Sequence, residues 1–589
     1  MPTSGQIQAF KDAFKTRASD KVWQPRWNVP TGCFAFMKQQ TRLAPVVAAI
    51  DDFAANIDRE HLDAVYAAIR DLPEGVRDSS TYATALDELK ASLDACAMET
   101  DTQGDMDFVR FGDGSMKISG LDGEEIGTIH AIAGAGRQDT LIELVRRLGT
   151  IDDPPVVGLD KVVKSVIKSI ELAAPTIGED GIDGTIWDQG VRRITDTVIP
   201  RITDDIGYMR DQGLVPEGFE LAGLELSGSD FHKGGHQVVF LNFEHLDGST
   251  KKVVYKPSDL AVDNLLFGTE GIGSVLGDIS TYDIAPMEDD TGHKYGYLEF
   301  VDGGDGATTA EDVQGILVGM AANMALSAYV GLEDVHHENV LMLTNTVQVI
   351  DMEATTGLFK MDGANANSGG FIDQLWAKAL NDGTKRQLQQ WIIAGTLTEL
   401  PENDTAWEAM RARFALVLQR VAGEGNAQQL EALETALAGH TARLVPLETN
   451  VFQTLVIPKS AHYDSLELWQ TMLDTDDVET NRFLTAARGL SGAPLEVVRN
   501  VLYTRGVYDA LRRGDVPYYL SELGSSVVRD ETGAPIVANG HPKVGGSIAE
   551  AMAARRDPDT HQEMEALFET QVRPIVNAIL NSCRQFLPV

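Results

Sequence analysis

The chain has 589 residues, several times the length of an ordinary domain, so three or four packed units are expected rather than one core. Its 43% hydrophobic and 23% charged residues are a globular composition, and no stretch approaches the roughly 18 consecutive apolar residues of a membrane span. The 88 acidic against 49 basic residues give a net charge of −39, which repels phosphates and argues against nucleic-acid binding. The acids are dispersed rather than blocked, which suits solubility rather than an acidic tail. Cys33, Cys96 and Cys583 are too few and too far apart for a disulfide framework or a cysteine zinc site. The polar start MPTSGQIQAFKDAFKTRASDK lacks an apolar signal core, so a cytoplasmic protein without membrane insertion is expected.

Residues 1–215 form a mainly helical N-terminal region by their three-to-four apolar spacing in LAPVVAAIDDFAANI, HLDAVYAAIRDL and YATALDELKASLDAC. A β-rich insertion interrupts it at MDFVRFGDGSMKISGLDGEEIGTIHAIAG, where alternation and glycine turns suit hairpins. Residues 216–301 change to strands. HQVVFLNFEHLDGSTKKVVYKPSDL predicts a hairpin turning at Leu246–Ser249, with Lys256 closing its second strand, where a compact cation can point into a cleft. Ahead of it, in SGSDFHKGGHQ, Gly234 and Gly235 permit backbone approach to a phosphate. A zinc reading of His232 and His236 is poor, because their spacing converges only on a helix that the two glycines discourage. The later glycine run Gly271–Gly277 reads as a turn.

YGYLEFV is a short apolar strand running into a hinge at DGG, and Glu299 and Val301 are the backbone positions that could hold an adenine. The segment 302–371 opens with a strong helix, AEDVQGILVGMAANMALSAYVG, ended by Gly331. It leads into GLEDVHHENVLMLTNTVQVIDMEATTG. Phosphoryl transfer from ATP needs a carboxylate beside the attacking hydroxyl, and an amide and second carboxylate to hold Mg²⁺. Asp334, His336 and Asn339, then Asp351 and Glu353 after an apolar strand, supply those groups in that order; a polar loop with two unrelated acids is the alternative. The following TTGLFKMDGANANSGGF has the composition of an activation-type segment. Residues 372–589 are expected to be helical, including TAWEAMRARFALVLQRVAGEG and NAQQLEALETALAGHTARL. Arg499, Arg505, Arg512 and Arg513 form the densest basic cluster; a phosphate contact and a salt-bridged helix face are both open.

Taken together, SDFHKGGHQV, YKPSDLAVD, YGYLEFVDG, DVHHENV, VIDMEAT and DVPYYLSELGSS resemble the dehydratase domain of class II lanthipeptide synthetases of the LanM type. The resemblance implies an α+β fold: a two-lobed, lipid-kinase-like catalytic core (lobes 216–301 and 302–371) flanked by large helical N- and C-terminal regions. It implies an enzyme that uses ATP and Mg²⁺ to phosphorylate Ser and Thr of a ribosomal precursor peptide carrying a leader, then eliminates phosphate to dehydroalanine or dehydrobutyrine. Lys256 would neutralise ATP phosphates, Asp334 would orient or deprotonate the hydroxyl, His336 would support the loop, Asn339 and Asp351 would hold metal, and Glu353 would complete the site. Asp230, His232 and Arg499 match positions used in elimination.

Two departures stand out. In the family's R-x-x-x-R-P-T-x-x-Y pattern, Tyr503 takes the place of the second arginine and Arg505 that of the threonine, with Thr504 one residue away. No Cys-His-Gly run for a cyclase zinc follows, so a standalone dehydratase, with a separate cyclase as possible partner, is implied. A kinase stopping at the phosphoester and a catalytically silent peptide-binding scaffold are the rival expectations.

Overall fold

The computed structural model describes residues 192–227, 232–233, 236–332, 335, 337–351, 376, 379–437, 440–444, 451–491, 495–522, 527–536, 552 and 554–588. Before these it describes 45–46, 48–50, 52, 59–72, 98–103, 106–111, 116–120, 125–129, 143–144, 146–148, 161–163 and 165–166. The chain divides into two compact units, Met1–Thr203 with Leu221–Leu224, and Asp204–Glu220 with Glu225–Val589. The architecture is mixed α/β, with helical regions flanking a sheet-containing core.

In the first unit, helix α1 (Arg59–Arg70) buries Val65 and Ile69, the apolar face its spacing predicts. Strands β1 (Met98–Gln103), β2 (Met106–Phe111), β3 (Met116–Gly120) and β4 (Glu125–Ile129) form an antiparallel sheet in sequence order. The expected β-rich insertion is therefore present, and it gains β1, whose polar METDTQ gave no alternating signal. The helices expected over 82–96 and most of 43–57 lie outside the described residues.

The second unit holds the larger core. Strand β5 (Glu220–Leu226) is divided between the two units, and the strands that lie wholly in the second run in the order β6-β7-β9-β8, where β6 is Val239–Glu244, β7 Thr250–Lys256, β8 Ile284–Glu288 and β9 Lys294–Glu299. The predicted hairpin is β6–β7, with Glu244 opposite Thr250 and Gly248 in the left-handed region at the turn. Alternation sorts the β7–β9 ladder into two faces. Tyr255, Tyr297 and Tyr295 share one, where the Tyr295 and Tyr297 hydroxyls each donate to buried Asp205 at 2.8 Å. Val254, Lys256, Leu298 and Gly296 share the other, and its apolar members join the main core. The run Gly271–Gly277 is not a turn. Its inner residues form a short helix, Ile272–Leu276, because Ile272 and Leu276 fall one turn apart and both bury. The two outer glycines only mark its ends.

The long helix α2 (Ala310–Val330) runs through the middle of that core. A Thr309–Asp312 capping box starts it and Gly331, at φ 76°, stops it. It is long and apolar enough to cross a membrane, but 83% of its most apolar window is buried within the protein. Helix α3 (Asn403–Ala422) packs on it, and α4 (Pro558–Arg584) packs on α3 by stacking Phe568 against Phe414 (4.1 Å between centroids) and Trp407 (5.1 Å). Cys583, on the last turn of α4, is fully buried, and burial pushes its thiol up to about 11.

The C-terminal region is not wholly helical. Thr441–Leu444 is strand β12 rather than the end of a helix, and it pairs antiparallel with β13 (Tyr519–Glu522), followed by two-residue strands at Val528–Arg529 and Pro535–Ile536. Such short strands carry too few residues to show alternation, and the partner of β12 lies far away in sequence.

Candidate functional site

Lys256 ends β7 with its side chain 8% exposed, on the core-facing side of the sheet. The neighbour across the ladder is Gly296, where a Cβ would fall 2.4 Å from the Ala285 carbonyl and 2.8 Å from Leu260. A side chain does not fit there, so the backbone of β9 lies close to β8 beside the lysine.

Two carboxylates meet the ammonium. Asp351, 95 residues away, accepts a hydrogen bond from Nζ. Asp263, fully buried on the helix Ala261–Phe267, stands 4.0 Å away. Burial, then the charge of Asp263, raises the Tyr282 phenol well above its ordinary range, with Lys256 acting in the opposite direction. The Tyr282 hydroxyl is buried and has no hydrogen-bond partner among the described residues. Asp263 and Tyr282 were not singled out from sequence. The available clue was an acid inside the apolar run LAVDNLLF, seven residues after the lysine.

Asp351 follows a two-stranded hairpin, β10 (Val340–Met342) with β11 (Val347–Val349), and Asn339 precedes it. The Ile350 N–H donates to the Asn339 carbonyl at 2.9 Å, which fixes the two ends of the hairpin side by side. Asn339 is buried, while Asp351 is half exposed with φ 62°, a left-handed conformation that aspartate tolerates better than most residues. The hairpin is seated on α2 at two glycines. A Cβ on Gly315 would meet the Asn345 carbonyl at 2.2 Å, and one on Gly319 would meet Thr346 Oγ1 at 2.9 Å.

The end of α2 is clamped just ahead of the segment that leads to Asn339. Tyr329 donates its hydroxyl to buried Glu434, which Arg556 also engages, and Arg555 donates to the Tyr329 carbonyl at 2.9 Å. Burial pushes the Arg555 guanidinium down to about 10.

Residues 185–381 match the domain of unknown function DUF4135. That domain is found in LanM-type lanthipeptide synthetases. No curated protein matches the chain. The DUF4135 match contains Lys256, Asp263, Asn339 and Asp351, and it suggests LanM-like catalytic activity in general.

Asp230, Gly234, Gly235, Asp334, His336 and Glu353 lie outside the described residues. Among the described residues no three His, Cys, Asp or Glu side chains group as metal ligands. Glu299 pairs across the sheet with Lys251 at 2.9 Å, and its N–H already donates to the Asp283 carbonyl. Its backbone thus has only a carbonyl to offer a ring. Val301 packs half-buried against the main core.

His232 and His236 face each other across a β-bridge, held by mutual backbone bonds of 3.0 and 2.8 Å. The His232 ring turns to the Val516 carbonyl, 2.8 Å from Nδ1. Of the four clustered arginines, three have protein partners: Arg505 with Asp509, Arg512 with the Ala461 carbonyl, and Arg513 with Asp515 and Glu531. Arg499, on the helix Leu495–Val501, keeps a buried Nε without a partner among the described residues. Tyr503 is partly exposed and donates to Asp474 at 3.1 Å, and Thr504 caps the next helix while donating to buried Asp530 at 2.8 Å.

Proposed function

We propose that the chain is an ATP- and Mg²⁺-dependent enzyme with a lipid-kinase-like core that phosphorylates Ser and Thr of a ribosomal precursor peptide in the cytoplasm. We further propose that it eliminates the phosphate to give dehydroalanine or dehydrobutyrine. The observation that carries this reading is the contact between Lys256 and Asp351, two groups 95 residues apart that ATP-dependent phosphoryl transfer requires together. The DUF4135 match over the same residues supports it.

In this reading Lys256 leaves Asp351 to neutralise nucleotide phosphates, and Asp334 accepts the proton of the peptide hydroxyl. Asn339 and Asp351 would hold Mg²⁺: they close the two ends of one hairpin, and an amide and a carboxylate are the hard oxygen donors this ion takes. When bound, the ion would offset charge on the transferring phosphoryl group. His336 and Glu353 would support that arrangement, and Gly234 and Gly235 would let backbone approach the phosphates. Asp230, His232 and Arg499 would serve elimination, in which the Cα proton is removed while phosphate leaves.

A second reading, arrest at the phosphoester, is favoured by Tyr503. It stands where the related enzymes carry a second arginine, and its hydroxyl is tied to Asp474. Intact-mass measurement of a co-expressed precursor peptide separates the two. A loss of about 18 Da per site marks dehydration and a gain of about 80 Da marks arrested phosphorylation. Neither change leaves only a peptide-binding scaffold. Asp334→Asn should abolish both shifts; unchanged dehydration by that variant removes the assignment.

A further inference from the structure

We infer that Tyr329, Glu434, Arg555 and Arg556 are positioning residues, which lock the end of α2 so that the chain leaves it toward Asn339 in one orientation. That this orientation matters for catalysis rests on the function proposed above; the lock rests on its own geometry. Three separate segments meet there. Tyr329 is in the last turn of α2, Glu434 is on the helix Glu424–Leu437, and Arg555 and Arg556 form the turn that precedes α4. Tyr329, Glu434 and Arg555 are all buried.

Each group has a defined direction. Burial, with Glu434 alongside, raises the Tyr329 phenol above its ordinary range, so the hydroxyl keeps its proton and donates to Glu434. Arg556 donates to the same carboxylate oxygen. From the other side Arg555 donates to the Tyr329 carbonyl at 2.9 Å, so a guanidinium caps a carbonyl at the negative end of α2. Arg555 is held in turn by its own carbonyl, 2.7 Å from His561 Nε2; a carbonyl only accepts, so this nitrogen carries the proton. Tyr329 is thus gripped at both its side chain and its backbone. Gly331 then turns the chain at φ 76°, and Leu332 and Val335 bury in the main core on the way to Asn339.

Stability alone does not account for these groups. A buried ion pair seldom outperforms well-packed apolar side chains of similar volume, because desolvating both charges offsets their attraction. Here the balance is poorer still, since Arg556 Nε is buried without a hydrogen-bond partner among the described residues. What polar contacts add is direction. An apolar contact leaves the last turn of a helix able to rotate or fray, and bonds to both ends of Tyr329 hold it.

The test is hydrogen exchange of the full chain, read by mass spectrometry without nucleotide or peptide, beside turnover on a precursor peptide. In Tyr329→Phe/Glu434→Leu/Arg556→Met apolar groups replace the lock. The thermal midpoint should hold or rise. Exchange over residues 331–343 should quicken at least about tenfold. Turnover should fall at least about tenfold, as when a positioned group is displaced by roughly 1 Å. A merely structural cluster cannot give higher stability with lower turnover. Unchanged exchange over 331–343, or a lowered midpoint with exchange quickened throughout the chain, overturns the proposal. Quickened exchange with undiminished turnover also overturns it, because the orientation would then not matter. If the triple variant does not fold, Tyr329→Phe decides, since it removes one hydroxyl and leaves the Glu434–Arg556 pair. Quickening confined to 331–343 then supports the lock, and unchanged or uniform exchange overturns it. A wild type without an ATP-dependent mass shift on precursor peptide fails the function proposed above and leaves the exchange result standing, so the two failures are told apart.

Discussion

At the scale of single residues, the Lys256 cluster would couple stability to the proposed phosphoryl transfer. Asp263 is wholly buried, and the Lys256 ammonium lies 4.0 Å from it, so Lys256→Met breaks an ion pair to a desolvated carboxylate. We predict a stability loss of roughly 3–5 kcal/mol by urea unfolding, and recovery of much of it in the double variant Lys256→Met/Asp263→Asn. Phosphoryl transfer should not return in the double variant; if it does, Lys256 is structural. Asp351 permits a cleaner separation, since asparagine also tolerates its left-handed φ of 62°. Asp351→Asn should lower the melting temperature less than Lys256→Met, because Asp263 still faces the ammonium, while transfer falls by orders of magnitude. Lys256, Asn339 and Asp351 could be singled out from sequence because their types and order match what a nucleotide phosphate would demand, and the contact of Lys256 with Asp351 is what the structure adds. Asp263 and Tyr282 were not, because a helix such as AVDNLLF does not disclose which face meets a lysine seven residues earlier. The four arginines show the same limit: composition marked them as a cluster, and only geometry gave three of them protein partners and left Arg499 Nε without one among the described residues.

At the scale of elements, close backbone approach decides where the hairpin carrying Asn339 and Asp351 sits. Gly315→Ala would put a methyl group 2.2 Å from the Asn345 carbonyl, which is backbone and cannot swing aside. A loss of about 1–3 kcal/mol is expected, as for an overpacked core. The accompanying shift of the hairpin should lower transfer more than an equal destabilisation elsewhere. A matched Thr309→Ala variant, losing about 1 kcal/mol at the helix cap, provides that comparison. Equal activity in the two variants would mean that the seating of the hairpin does not matter. Helix α2 was readable end to end, since its apolar run, its cap and its closing glycine agree. The C-terminal sheet was not readable. Thr441–Leu444 follows helical periodicity without a break and becomes a strand only because residues 519–522 lie beside it.

At the scale of the whole molecule, acid and salt should act in predictable directions. Burial disfavours the charge on Asp278, but Arg420 at 2.8 Å and Arg413 at 2.6 Å outweigh it and hold the carboxyl below its usual value. A carboxyl lowered on folding stabilises fully above its unfolded value of about 4 and loses that contribution as pH falls through the lowered one. The melting-temperature difference between wild type and Asp278→Asn should therefore hold constant from pH 7 to about 5 and close below about pH 4. A net charge of −39 adds self-repulsion across the fold. Raising NaCl from about 0.05 M to about 0.5 M should raise the melting temperature, and a fall would show that screened ion pairs outweigh the repulsion. Cys583 turns the core packing into a clock. Its sulfur is sealed under the last turn of α4, so a chromogenic disulfide reagent reaches it only when that helix lifts away. In a Cys33→Ser/Cys96→Ser background, the rate of colour development would time the detachment of this one helix while the remainder of the protein stays folded.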